Sequence, residues 1–400
     1  MKNTNTKLSK NILIFLFTVV LFDLIGATIL VTVQAFIVKQ YNSTAIAVSL
    51  LIVLYAAAQF IAAPILGRIS DKYGRRPILL ICLLGSALGY FIFGLGGALW
   101  VLYLSRIIDG FTGGNVSIAQ AYISDVSSEK DRTKNLGFIG VAFGLGFILG
   151  PIFGGIFSQI SLNAPAYAAG IFSLAATLIG FYILPESIPK DKRNLTNIKL
   201  NELNPFKSIG KMLKLPVLGT LLIVFCIANF AFNGFNVNAP VFLIYKFSAT
   251  PLEIAGMLFV VGIVMAIVQG GLIGKLKTKF GDEKLIMGGL LIQALGFILF
   301  ILAPSFWMIY LIGGIISAGF ALRSPTMYSL FSKNVSASEQ GEIFGVSTSL
   351  FALMNVLGPL FAGLVYDKIM PTAPYWIGAI LFIIAFILMA RIKITPKPSA

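Results

Sequence analysis

Twelve stretches of this chain are long and apolar enough to cross a lipid bilayer, and they leave little room for anything else. They cover residues 12–38, 45–66, 78–96, 99–124, 135–158, 165–184, 215–241, 251–273, 285–303, 306–332, 340–365 and 371–390. A span needs about 20 mostly apolar residues. Hydrocarbon offers the backbone no water, so only helices and closed barrels survive in it. Continuous apolar runs without strict alternation favour helices. The expectation is an all-α membrane protein with twelve transmembrane helices.

Composition points the same way: 58% of residues are hydrophobic and 11% charged, against about 25% charged in soluble chains. The net charge of +15 raises the question of nucleic acid, and its distribution answers it. With the N-terminus placed inside, 25 of the 30 Lys and Arg lie in the tails and the inner loops. Only Lys39, Lys246 and Lys368 lie in outer loops, and Arg106 and Arg323 sit within spans. This asymmetry predicts cytoplasmic termini and directs the basic surplus to the anionic inner leaflet, not to nucleic acid. Cys82 and Cys226 fall in apolar runs and there is no His, so neither a disulfide framework nor a metal site is expected. The first run lacks a small-residue cleavage site and is followed by further spans, so it reads as a retained helix.

The chain is internally duplicated. A charged, glycine-punctuated hinge runs from Gly67 to Pro77, and a weaker copy runs from Gly274 to Lys284. Gly67, Arg68, Lys72, Tyr73 and Gly74 map onto Gly274, Lys275, Lys279, Phe280 and Gly281 at an offset of 207. Leu149-Gly150-Pro151 recurs as Leu357-Gly358-Pro359 at an offset of 208. The expected organisation is two pseudo-symmetric six-helix bundles, residues 1–184 and 215–400. The cytoplasmic linker 185–214 joins them, with too weak a pattern to define a helix of its own.

Four charges sit well inside spans: Asp23, Arg106, Asp109 and Arg323. Each costs about 2.5–3.5 kcal/mol at the bilayer centre even on the most lenient scale. At 1.5 Å per residue, Asp23 and Asp109 lie about 15–17 Å deep, near the midplane. Arg106, at i−3 from Asp109, is its helical neighbour. Gln34 and Gln120 follow the two acids by eleven residues, close to three turns, which places each pair on one face. Asn229, Asn233 and Asn236 form an i, i+4, i+7 stripe on the seventh span. These residues occupy spans one, four, seven and ten, as a three-helix repeat facing one cavity would produce. Other readings stand beside this one. Asp23 and Asp109 have a purely structural alternative. Arg323 either lines the cavity or snorkels to the cytoplasm. The Asn stripe either lines the cavity or joins helices.

These residues resemble the major facilitator superfamily over essentially the whole chain. Gly67 to Pro77 resembles its loop signature, Tyr103 to Gly110 its fourth-helix motif, and Gly144 to Gly155 its fifth-helix antiporter motif. Together they are similar to the twelve-span drug:proton antiporters, and Gly110 to Asp125 is similar to tetracycline exporters. Asp109 within the fourth-helix motif and the absence of His are departures that count against tetracycline itself as substrate. The resemblance implies that Gly67, Asp71, Gly74, Arg75 and Arg76 form a latch, with Asp71 meeting basic residues and the end of the eleventh helix. Glu339 and Glu342 suit such a charged joint. Simple inside anchoring is an equal reading of Arg75 and Arg76. In the fifth helix, Gly146, Gly150, Gly154 and Gly155 would let helices approach closely and tighten the packing between halves. Pro151 would bend the helix.

The resulting expectation is a proton-coupled antiporter exporting small amphipathic, cationic compounds across the inner membrane by alternating access. Asp23 and Asp109 would take protons or the substrate cation. Arg106 would hold Asp109 ionised in one state and release it in another. No cofactor, metal or catalytic residue is expected, and one chain would suffice. An uptake permease for a polar metabolite is the alternative within transport. A non-transporting receptor or assembly factor is the alternative outside it.

Overall fold

The computed structural model describes residues 10–42, 44–127, 129–188, 205–336 and 339–392, and helix is the only regular secondary structure among them. Most of the two tails and residues 189–204 of the linker lie outside the described residues. The helices are α1 (Lys10–Val31), α2 (Gln34–Lys39), α3 (Ala45–Tyr73), α4 (Arg75–Leu95), α5 (Leu99–Phe111), α6 (Asn115–Val126), α7 (Glu129–Ser158) and α8 (Ala164–Ile183). They continue as α9 (Pro205–Leu213), α10 (Pro216–Phe247), α11 (Pro251–Ile267), α12 (Ile273–Leu302), α13 (Trp307–Lys333), α14 (Gln340–Lys368) and α15 (Ala373–Arg391). A π-helical turn, Val268–Leu272, joins α11 to α12. The linker does contain a helix, α9, which the sequence pattern left undefined.

Each of the twelve apolar runs is helical, and the exceptions to smooth helix are local. Nine helical elements among the described residues are individually long and apolar enough to cross a membrane. One of them, Pro251–Leu302, is 52 residues long and serves as two spans, because Gly281 breaks it. The fourth run is cut into α5 and α6 by the turn at Thr112-Gly113-Gly114, and a glycine pair is a usual site of such a break. The first run is cut at Thr32-Val33, where the Thr32 hydroxyl bonds back to the Ile29 carbonyl at 2.6 Å. These two cuts correct the sequence reading of Asp23 with Gln34, and of Asp109 with Gln120. Eleven residues make three turns only along an unbroken helix.

The two hinges share one backbone conformation. Gly74 has φ 107° and ψ 151°, and Gly281 has φ 78° and ψ 165°. That region is essentially closed to residues with a Cβ. Gly67 differs, since a Cβ there would meet nothing within 4 Å. It lies within α3, and its contribution to the hinge is its carbonyl.

The chain divides into two compact units. The first holds residues 1–43, 54–200 and 251–255, and the second holds 44–53, 201–250 and 256–400. In the first, α1 packs on α7 and α8, while α4 packs on α5 and α8. In the second, α10 packs on α14 and α15, while α12 packs on α13 and α15. The repeat offset carries each of the first four pairings onto one of the second, so the duplication read from the hinges is a duplication of packing.

Side-chain size explains how the helices approach. A Cβ at Gly146 would strike Leu24, one at Gly150 would strike Thr28, and one at Gly154 would strike Thr32. The Thr28 hydroxyl bonds the carbonyls of Leu24 at 2.7 Å and Gly146 at 3.0 Å. These three glycines therefore seat α7 on α1 of their own bundle, which corrects the expectation that they pack one half on the other. Gly155 faces Leu252 and Ala255, which belong to the same unit. Pro151 leaves α7 continuous from Glu129 to Ser158. The second unit keeps such close approach, with a Cβ at Gly358 only 2.5 Å from the Phe230 carbonyl, and adds aromatic packing: Phe235 stacks on Phe297 at 4.6 Å, beside Phe242, Phe300, Tyr375 and Phe382.

The second unit also captures the start of α3. The amides of Ala45 and Ile46 donate to Asp367 Oδ1 and Oδ2, each at 2.9 Å. A carboxylate is favoured at a helix N-terminus, and this one comes from the last turn of α14.

Candidate functional site

The polar residues of the first unit form one connected chain. Asn115, the first residue of α6, donates from Nδ2 to Asp23 Oδ1 at 2.6 Å and to Ser86 Oγ at 3.3 Å. Ser86 also lies beside Asp109. Arg106 Nη1 donates to Asp109 Oδ2 at 3.1 Å. The Arg106 guanidinium lies 4.9 Å from the Phe93 ring centre and 5.3 Å from that of Tyr90. Arg106 and Asp109 are buried, whereas Asp23 is half-buried. The two acids, on α1 and α5, are thus joined through α4 and α6. Close approach makes this possible: a Cβ at Gly89 of α4 would lie 2.9 Å from Asp109 Cβ.

The second unit holds the counterpart. Arg323 is fully buried, which corrects the snorkelling reading. Its Nε donates to Gln293 Oε1 at 2.9 Å and its Nη2 to Asn229 Oδ1 at 3.4 Å. The guanidinium lies 5.5 Å from the Phe320 ring centre. Asn229, Gln293 and Arg323 stand where the repeat places Asp23, Ser86 and Asn115, at offsets of 206, 207 and 208. The same three positions hold an acid in one unit and a base in the other.

The remaining site candidates scatter. Asn233 is buried, but Asn236 is exposed, so the Asn stripe is not one buried face. Gln34 is buried in α2 and Gln120 is exposed on α6. The residues missed from sequence are Ser86 and Asn115, together with Gln59, whose Nε2 donates to Tyr55 Oη at 3.1 Å and to the Gly113 carbonyl at 2.9 Å, while Gln293 reads from sequence as a packing residue.

The first hinge is organised by Arg75. It pairs with Asp71 and with Asp125 at 3.1 Å, and its Nη1 donates to Ser70 Oγ at 2.7 Å and to the Gly67 carbonyl at 3.4 Å. Its backbone amide donates to Glu186 Oε1 at 2.8 Å. Arg76 donates to the Phe181 carbonyl at 2.6 Å. Asp71 lies in the last turn of α3, inside the helix rather than beyond it. In the second hinge Asp282 is the organiser, with Lys333 at 2.7 Å and Lys277 at 3.2 Å. Glu339 and Glu342 pair with Lys211 of α9, at 3.6 Å and 3.0 Å.

A duplicated bundle of membrane-spanning helices, with ionisable groups buried inside each copy, defines a polytopic membrane carrier. The chain belongs to the Major Facilitator Superfamily, whose family model matches residues 15–281 and 270–400. It is 30% identical to the class C tetracycline resistance protein of Escherichia coli, over 96% of this chain and 97% of that one. It is 28% identical to multidrug resistance protein 2 of Bacillus subtilis, over 90% and 89%. Among solved structures, the human organic anion transporter MFSD10 is 25% identical with a TM-score of 0.70, covering 97% of this chain and 100% of that one. A bacterial Spinster homologue, at 17% identity and a TM-score of 0.74, shares the fold.

Proposed function

We propose that this chain is a proton-coupled antiporter that exports small amphipathic drugs across the inner membrane by alternating access. The observation that carries the reading is the chain Asp23–Asn115–Ser86–Asp109–Arg106. A membrane interior retains buried acids for ion or proton traffic, and these two are wired to each other. Asp23, half-buried, is the group that exchanges protons or meets the substrate's cationic end. Asp109, buried and paired with Arg106, becomes available for exchange when that pair is disturbed. Ser86 and Asn115 carry the state of one carboxylate to the other. The resistance proteins that the chain is similar to support drug export. The distribution of Lys and Arg supports cytoplasmic termini. Both repeats lie on one chain, so a monomer suffices, with lipid as its surroundings.

The test is drug-induced proton movement in inside-out vesicles bearing wild type, Asp23→Asn or Asp109→Asn. The expected result is loss of proton exchange in both variants with the protein still folded. Undiminished coupled transport in both would overturn the assignment.

A further inference from the structure

The buried cation of the first unit's polar chain is matched, because Arg106 has Asp109. Arg323 has no such partner: among the described residues no carboxylate lies within ion-pair distance of it. Its two hydrogen bonds go to neutral amides, and its Nη1 is buried without an acceptor. Within the second unit two further donors share that condition. Gln293 Nε2 and Asn233 Nδ2 are buried and unpartnered. Gln293 is bonded to Arg323 directly, and Asn233 lies one turn along α10 from Asn229, which is bonded to it too. Helices α10, α12 and α13 thus each carry a buried N–H without an acceptor, two of them on the bonded pair Arg323 and Gln293 and the third one turn from Asn229.

Native interiors leave few such groups unpaired, and each asks for an explanation. Three donors and a positive charge are complementary to one species, an anionic oxygen. A carboxylate has about four acceptor positions and pairs with guanidinium through two parallel bonds. Packing holds the geometry rigid. A Cβ at Gly289 would lie 2.6 Å from the Gly319 carbonyl and 3.0 Å from Arg323 Cβ, so α12 and α13 are pressed together at the cluster.

We propose that Arg323, with Gln293 and Asn233, binds a carboxylate of the exported compound, so that the preferred substrates are amphiphiles with an anionic group. The proposal rests on the export reading above and names the substrate class. The donors are closed off in this state of the molecule; a carrier exposes its site in other states, and the anion enters in one of them.

The experiment uses a rhodamine with a free carboxylate and its methyl ester, which differ in that one charge. Binding to the purified full-length protein is read by fluorescence anisotropy in detergent. Wild type is expected to bind the carboxylate dye about tenfold or more tightly than the ester, as a charge-assisted pair requires. Arg323→Gln removes that preference and leaves ester binding in place. Gln293→Glu gives Arg323 an internal counter-anion; it is expected to fold as well as wild type and to lose carboxylate binding alone. Equal binding of the two dyes by wild type, no detectable carboxylate binding, or parallel loss of both dyes in Gln293→Glu would overturn the proposal. So would an Arg323-dependent melting shift with chloride but none with the carboxylate dye. Because binding is read without transport, failed proton exchange beside an intact carboxylate preference would remove the export reading and leave this site standing.

Discussion

Asp282 stands in the second unit where Arg75 stands in the first, 207 positions earlier, and it carries the opposite charge. The partners are reversed with it. Arg75 holds Asp125 at 3.1 Å, while Asp282 holds Lys333 at 2.7 Å, and Asp125 and Lys333 correspond at an offset of 208. The joint is retained and its polarity inverted, so what the duplication preserves is an ion pair between the start of one helix and the end of another. Asp282→Arg should therefore cost about 1–3 kcal/mol, the scale for a buried polar group left without its partner. The triple change Lys277→Ser, Asp282→Arg, Lys333→Asp copies the first hinge and should recover most of the loss. Thermal melting in detergent measures both.

The hinge glycines separate by backbone rather than by position in the motif. Gly74→Ala and Gly281→Ala place a Cβ on a backbone with positive φ and extended ψ, at a cost of order 1–3 kcal/mol each. Gly67→Ala, inside a helix with open space around it, should be neutral or stabilising by about 0.5–1 kcal/mol. Melting temperatures of the three variants decide it, and equal losses would mean that the motif acts by another route.

Arg106 and Asp109 are a buried pair, so breaking it differs from deleting it. Arg106→Gln alone should destabilise by about 3–5 kcal/mol, because it strands a buried carboxylate. Adding Asp109→Asn should return part of that. A double-mutant cycle on unfolding in denaturing detergent checks the coupling.

A Cβ at Gly150 would collide with the Thr28 hydroxyl. Gly150→Ala should cost about 1–3 kcal/mol by overpacking, and Thr28→Ala should relieve part of it in the double variant. A Gly150→Ala protein that melts and transports like wild type would show that α1 and α7 are free to separate there.

Linker helix α9 should respond to pH. The Ser336 hydroxyl and amide donate to Glu339 at 2.8 Å and 3.3 Å, and together with Lys211 they hold its carboxyl below the usual value. A depressed carboxyl contributes its stability above the unfolded value, about 4.3, and loses it as pH falls through the folded one. Amide exchange in residues 205–213, corrected for its intrinsic rate, should therefore be flat near neutrality and rise below about pH 4. Glu339→Gln should remove part of the rise, since Glu342 still holds Lys211 at 3.0 Å.

Much of this architecture was legible because lipid makes strong demands. Twelve apolar runs, two hinges and a 207-residue offset suffice for duplicated bundles, and four intramembrane charges mark where chemistry sits. The polar wiring was less legible for local reasons. Turns at Thr32-Val33 and Thr112–Gly114 defeat any face drawn across them. Ser86 and Asn115 are neutral and common in packed helices, so nothing singled them out, and Gln293 reads as packing for the same reason. The repeat offset would have done so, by setting Asn115 opposite Arg323 and Ser86 opposite Gln293. Whether Arg323 turns inward depends on the close approach of Gly289 and Gly319, and no pattern on its own helix reveals that.

The Asp367 carboxylate that receives the Ala45 and Ile46 amides is made 321 residues after Ile46. During synthesis, the beginning of α3 is made with two peptide groups lacking their eventual acceptor, and keeps them so until Asp367 has been added. Closure of this fold is therefore a late event. A nascent chain halted anywhere before α14 is complete would be left with that helix end uncapped.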